Sequence, residues 1–237
     1  MEIEENLLPL ENVEKIFCIN VLENTQRKEF MIRQFDELKI QKNKIVFIEA
    51  VTPESEDYQT CLMENKIINT EDKRKKIEQA ISLSHRKVWK IIQNENIKIA
   101  LVVEDDVEFN IEFLKNCSTK VNLGSLTDKK YYVHLLSNYP KKILNCYKET
   151  KEPTIIRYNI KYGMGCYFIG NHGSQELSKE ENFFPVTKPV DDYMWDRKAL
   201  AKHRGEFALI PFVCQNSSQP KTICFESNNI FKSNFRN

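Results

Sequence analysis

The sequence predicts an α/β domain: a largely parallel sheet flanked by helices, followed by a less regular second half. Two observations predict it. Three short apolar runs, the last ending at Val103, alternate with two segments of helical period. Polar or acidic residues then collect where each apolar run ends, which is the edge where open α/β sheets bind ligands.

The first run, "KIFCIN" (Lys15 to Asn20), is β-prone and closes on an asparagine. Asn24 and Thr25 offer cap chemistry before "RKEFMIRQFDELKI", where Phe30, Met31, Phe35 and Leu38 recur at helical spacing. "KIVFIEAV" (Lys44 to Val51) reads as the second strand, ended by Thr52-Pro53. Residues 54–72 are polar without a clear period and predict a surface excursion. A long helix is expected over roughly 73–95, with Ile77, Ala80, Ile81, Ser84, Val88, Ile91 and Ile92 on its inner stripe. "IKIALVV" is the third strand and runs straight into Glu104, Asp105 and Asp106.

The second half offers strands at Tyr131 to Ser137 and Gly165 to Gly170, and a short helix in "GSQELSKE". A further strand starts at Phe207 and should break or lie at an edge because of Pro211. A single domain is expected over 1–237, divided into a ligand-binding half (13–110), a second half (111–225) and a loosely held tail (226–237).

Composition narrows the function classes. With 35 basic and 34 acidic residues, the net charge of +1 argues against a general grip on nucleic acid. Seven scattered cysteines without a C-x-x-C read as reduced thiols, not as a disulfide framework or zinc site. The acidic start lacks a basic region followed by an apolar one, and no apolar run approaches the ~18 residues of a membrane span. A cytoplasmic protein, or one of the virion or host cytoplasm if viral, is the expectation. The richness in Lys, Ile and Asn suggests an AT-rich bacterial or viral genome.

Three adjacent carboxylates at a strand end need compensation, because burying them unpaired costs several kcal/mol each. They suit Mg²⁺ or Mn²⁺, whose other positions go to water and phosphate oxygens. They equally suit a solvated turn or a helix start. Strand alternation sets Glu104 and Asp106 on one side and Asp105 on the other. His85, near the boundary of the long helix's inner stripe, reads as a satisfied structural histidine or as a site residue. Arg27 is either a phosphate contact at the sheet edge or a surface arginine. In "KPVDDYMWD", Asp191 is either an aimed carboxylate or a helix cap.

The order of these segments resembles glycosyltransferase family 25, which includes lipopolysaccharide and procollagen galactosyltransferases. "IFCINVLENTQRKEFM" is similar to the family's I-N-L followed by arginine, and "FIEAV" to its F-x-A-V. "AISLSHRKVWKIIQNENIKIALVVEDDVEF" resembles its leucine-Ser-His-x-x-x-tryptophan helix leading into an L-E-D-D strand. "YGMGCYFIGNHGSQEL", "PVDDYM" and "PFVCQ" resemble its G-x-x-G-Y, P-V/I-D and P-x-x-x-Q segments. The likeness runs from about Lys15 to Gln215. It departs at Thr52-Pro53, where a glycine often follows, at Cys166 in place of the tyrosine, and at Gly170-Asn171. These departures fall around the acceptor side.

The resemblance implies a GT-A-like fold with a nucleotide-sugar-binding half (13–110) and an acceptor half (111–225). It implies a UDP-sugar donor of galactose or glucose type, a Mn²⁺ or Mg²⁺ cofactor, and a glycan or glycoprotein acceptor. Carried over, Asn20 and Arg27 contact the nucleotide or its diphosphate, and Ser84 and His85 line the donor pocket. Glu104 joins the cofactor-binding residues, while Asp105 and Asp106 take the metal. Asp191 is the base, and Gln215 lines the site. The resemblance also implies inversion at the anomeric carbon. The rivals are a catalytically silent relative that binds nucleotide sugar or serves assembly, and a nucleotidyltransferase. The second lacks support because "CINVLENTQRK" has no glycine-rich phosphate loop.

Overall fold

A computed structural model describes residues 10, 13–109, 132–135, 154–156, 165–195, 206–209 and 213–214. Nine strands are described: β1 (Lys15–Asn20), β2 (Ile45–Glu49), β3 (Ile99–Glu104), β4 (Glu108–Phe109), β5 (Tyr132–Leu135), β6 (Thr154–Ile156), β7 (Cys166–Gly170), β8 (Glu206–Leu209) and β9 (Val213–Cys214). The described helices are α1 (Thr25–Glu37), α2 (Glu56–Met63), α3 (Lys73–Asn94), α4 (Asn171–Ser178), α5 (Glu180–Phe183) and α6 (Val190–Trp195).

Seven strands form one sheet in the order β2-β1-β3-β7-β5-β8-β6, and β4 pairs with β9 separately. β1 runs parallel to both β2 and β3, as the strand–helix alternation predicts. Beyond β3 the sheet is mixed. β7 is antiparallel to β3 and β5, β5 is parallel to β8, and β6 is antiparallel to β8.

Alternation along the central strands builds two cores. Ile16 and Cys18 of β1, with Leu101 and Val103 of β3, pack against Met31 and Phe35 of α1. Phe17, Ile19, Ala100 and Val102 face the opposite way, toward Val88 and Trp89 of α3. Central strands buried on both faces are near-continuous apolar runs, which is how these segments read. Burial pushes the Cys18 and Cys166 thiols up, so they behave as small neutral core groups. Among the described residues Cys18, Cys61 and Cys166 are free thiols. No helix among the described residues is long and apolar enough to cross a membrane.

Helix boundaries follow local chemistry. The Asn24 side chain accepts from the Arg27 backbone N–H, and Asp72 accepts from Arg74 and Lys75 to start α3. α1, α2 and α3 end alike, with Lys39, Asn65 and Asn96 in the left-handed region. The next N–H in each case reaches back to Phe35, Cys61 or Ile92, which closes the last turn.

One expectation fails: residues 54–72 are not wholly irregular, because α2 occupies 56–63. Two turns are too short for a period to stand out. The segment helps hold itself in place through Tyr58, whose hydroxyl donates to Gln79 of α3 at 2.8 Å. The short helix after β7 also begins at Asn171, two residues earlier than "GSQELSKE" suggests. Pro211 and the 226–237 tail lie outside the described residues.

Gln34 ties α1 to the turn that follows β3. Its Nε2 donates to the Val107 carbonyl at 2.9 Å, and its Oε1 accepts from the Phe109 N–H at 2.7 Å. Gln34 is buried, so replacing it by leucine leaves two buried backbone groups without those partners. Each such loss costs roughly 1–3 kcal/mol. Gln34→Leu should therefore lower unfolding stability by about 2 kcal/mol or more in urea denaturation. A change below about 0.5 kcal/mol would mean that the turn finds other partners.

Candidate active site

The carboxyl ends of β1 and β3 lie side by side, because Ile19 pairs with Glu104 in the parallel register. That register brings together residues about eighty positions apart. Asn20 Nδ2 donates to Asp105 Oδ2 at 2.7 Å, and Arg27 Nη1 donates to Asp105 Oδ1 at 2.9 Å. All three side chains are buried. Both oxygens of Asp105 are thus engaged from the α1 side of the sheet. Burial pushes the Asp105 carboxyl up, opposed by Arg27 and Asn20.

Glu104 turns to the other face. Its Oε1 lies 3.1 Å from His85 Nε2, and its backbone N–H donates to Gly165 at 2.8 Å. His85 is buried, whereas the Glu104 side chain remains partly open to solvent. Ser84 is also buried, and its hydroxyl accepts from the Val51 N–H at 2.8 Å while donating to the Ala80 carbonyl. Ser84 therefore fixes the chain just after β2.

Asp106 is partly exposed as a residue, yet its Oδ1 is sealed from solvent and has no hydrogen-bond partner. Burial, then the neighbouring Glu104 charge, push its carboxyl up to about 7. An acceptor so placed is costly unless a cation or a proton meets it.

Asp191 and Asp192 stand in the first turn of α6, both partly exposed. Val190 and Met194 seat that helix in the core shared with Trp89 of α3, on the face that carries His85 and Glu104. Gln215 lies outside the described residues.

Asn20, Arg27, Ser84, His85, Glu104, Asp105 and Asp106 therefore gather at one sheet edge. Two neighbours were missed by sequence reasoning. Gln34 holds the turn after the carboxylates, and its signal is a polar residue beside Met31 and Phe35 in an otherwise apolar stripe. Tyr167 contacts His85 at 2.9 Å and accepts from Trp89 Nε1 at 2.8 Å. Cys166 stands where a tyrosine was expected, but alternation turns it toward the α1 core, and Tyr167 faces α3.

The chain is similar in sequence to known proteins. The model for glycosyltransferase family 25 (LPS biosynthesis protein) matches residues 13–194. Procollagen galactosyltransferase 1-A of Xenopus laevis is 26% identical over 213 residues, covering 82% of this chain and 33% of its own. Procollagen galactosyltransferase 1-B of the same species is 24% identical over 141 residues, covering 55% of this chain and 22% of its own. The chain thus spans a third or less of the length of these relatives.

Among solved structures, a glycosyltransferase involved in the glycosylation of the major capsid of PBCV-1 aligns with a TM-score of 0.44 at 12% identity. It covers 83% of this chain and 80% of that one. Mouse xyloside xylosyltransferase 1, in its apo form, gives 0.40 at 8% identity, covering 82% and 72%. The matched span takes in both the Ser-His helix and the Glu-Asp-Asp strand end, and the chain belongs to glycosyltransferase family 25.

Proposed function

We propose that the chain transfers a hexose of galactose or glucose type from a UDP-sugar to a hydroxyl of a glycan or glycoprotein acceptor. The donor half is 13–110, within a GT-A-like fold, and the acceptor half is 111–225. One observation carries the reading. The sealed, unpartnered oxygen of Asp106 sits in the family's acidic segment, at the edge where Asn20, Arg27, His85 and Glu104 also meet.

That oxygen fits a divalent cation. Carboxylate oxygens are hard ligands suited to Mg²⁺ or Mn²⁺, and a cation would supply the missing partner. Among the described residues no three His, Cys, Asp or Glu side chains form a metal cage. A cation here would hold one or two carboxylates and take its other ligands from diphosphate oxygens and water. Asp106 is the principal ligand in this reading, with Asp105 beside it as the carboxylate that Asn20 and Arg27 orient. The bound ion would neutralise charge on the departing diphosphate.

The chain's own residues do the rest. Asn20 and Arg27 brace Asp105 behind the diphosphate, Ser84 fixes the β2 end, and Glu104 accepts hydrogen bonds from donor hydroxyls or water. Asp191 takes the proton of the acceptor hydroxyl as its oxygen bonds to the anomeric carbon. The bond from that carbon to the diphosphate breaks, its electron pair leaves with UDP, and a single displacement inverts the centre.

UDP binding should require Mn²⁺ or Mg²⁺, and Asp106→Asn should weaken it at least tenfold in calorimetric titration. Metal-independent UDP affinity, unchanged in that variant, would sink the proposal. Tight metal-dependent UDP binding without transfer from any UDP-sugar would instead favour a silent relative.

A second check is pH. A proton and a cation compete for Asp106, so cation affinity should rise as pH approaches about 7 and level off above it. The sign for folding follows from the same raised carboxyl. The metal-free protein loses stability as pH climbs from the usual carboxylate range to about 7, because the native state gives up a proton it held more tightly than the unfolded chain. Mn²⁺ should therefore raise Tm more at a pH of about 8 than at about 5.5. Equal shifts at the two values would count against Asp106 as a ligand.

For Asp191, the amide variant separates base from cap. Asp191→Asn should keep the fold and UDP–metal binding while lowering transfer by ~10²-fold or more. A capping residue would tolerate the change, since asparagine caps as well as aspartate. Asp192→Asn serves as the milder control, and wild-type transfer by the Asp191 variant would remove the assignment.

A further inference from the structure

Asp106, whose sealed Oδ1 has no partner, is flanked on both sides by residues tied to one helix. Before it, Asp105 accepts from Arg27 of α1 at 2.9 Å. After it, the Val107 carbonyl accepts from Gln34 Nε2 at 2.9 Å, and the Phe109 N–H donates to Gln34 Oε1 at 2.7 Å. Arg27 and Gln34 stand about two helical turns apart, on one face of α1. Both are buried.

The Gln34 contact has a particular form. In a parallel ladder, one residue donates to the carbonyl of residue i−1 on its neighbour and accepts from the N–H of residue i+1. The Gln34 carboxamide does the same about Glu108. It stands in for a parallel strand beside β4, which among the described residues otherwise pairs with β9. The reverse amide orientation would set oxygen against the Val107 carbonyl and N–H against the Phe109 N–H, so the side chain has a single fit. Nε2 also lies 3.2 Å from Met31 Sδ, which engages its second hydrogen. Within the turn itself, the bond from the Val107 N–H to the Glu104 carbonyl is longer, at 3.3 Å.

We infer that Gln34 is a positioning residue for the cation site: by holding Val107 and Phe109, it fixes where the Asp106 carboxylate points. The inference rests on the function proposed above, in which Asp106 takes Mn²⁺ or Mg²⁺. Gln34 does not touch the ion in this role. It acts through the backbone, as Arg27 acts through Asp105 on the other side. Outer groups that orient a metal's ligands typically account for roughly 10–100-fold in affinity.

Mn²⁺ titration in the presence of UDP, followed by the electron paramagnetic resonance signal of the free ion, tests this. Gln34→Met keeps the length of the side chain and loses both bonds to the turn. It should bind Mn²⁺ about tenfold more weakly than wild type. Tyr58→Phe is the control for a merely structural loss, because it removes a buried hydrogen bond to Gln79 on another part of the fold. It should lower thermal stability and leave Mn²⁺ affinity unchanged. Both variants are measured where circular dichroism shows them folded. Mn²⁺ affinity in Gln34→Met within about twofold of wild type, or an equal loss in Tyr58→Phe, would overturn the inference.

If Gln34→Met does not fold, hydrogen exchange in the wild-type protein decides. Coupling is reciprocal, so a clamp that favours the cation must itself be tightened by the cation. Adding Mn²⁺ and UDP should slow exchange of the Phe109 amide more than that of Phe17 in the centre of the sheet. Equal slowing of the two, or none at Phe109, would overturn it. Wild-type protein that binds no Mn²⁺ with UDP defeats the functional reading and this inference together. Binding that is intact in wild type and equal in Gln34→Met defeats the inference alone.

Discussion

Alternation at the end of β3 sends Glu104 and Asp105 to opposite faces of the sheet, and the candidate site is organised around that split. Consecutive carboxylates cannot share one compensating partner when the pleat points them apart. Each therefore has its own. Asp105 meets Arg27 and Asn20 on the α1 side, while Glu104 meets His85 on the α3 side. Asp106 follows with an oxygen that no protein donor reaches. Two of the three neighbouring carboxylates are thus met from within the fold, while burial and the Glu104 charge push the third, Asp106, up to about 7.

The Arg27–Asp105 pair is a poor candidate for net stabilisation. Desolvating two charges offsets most of their attraction, and a buried ion pair often contributes little over an apolar substitute. What it supplies is placement. Asp105 accepts from an arginine held by the first turn of α1 and from an asparagine at the end of β1. The carboxylate is thereby fixed to two elements whose positions the sheet already sets. Gln34 extends the same arrangement about two turns further along α1, to the backbone that carries the chain away from Asp106.

Much of the fold was legible because the relevant signals are local. The three parallel strands, α1 and α3 have apolar runs or helical stripes long enough to declare themselves, and Asn24 marks the start of α1. The acidic segment was legible as a candidate site because adjacent carboxylates at a strand end need an explanation. Their partners were not, since Asn20 and Asp105 are 85 positions apart and meet only through the strand order β2-β1-β3. Tyr167 was hidden for a related reason. Its role depends on β7 lying antiparallel to β3 with Val102 opposite Tyr167, and no local pattern in "GCYFIG" announces that register. α2 was missed because eight residues give a helical period too little room.

The geometry also accounts for why the most specific part of the family likeness is so compact in sequence. Neighbouring helical residues point about 100° apart, so three in a row can reach three different parts of the molecule. Ser84 holds the backbone after β2, His85 holds Glu104 at the end of β3, and Arg86 lies over the Phe184 ring at 4.5 Å while pairing with Glu180 of α5. One turn further on, Trp89 reaches Tyr167 of β7. A single helical turn thus fixes the β2 end, the β3 end and the approach to α6 relative to one another. Shifting its register by one residue would rotate every one of these contacts away from its partner, so the four side chains hold their elements as a unit.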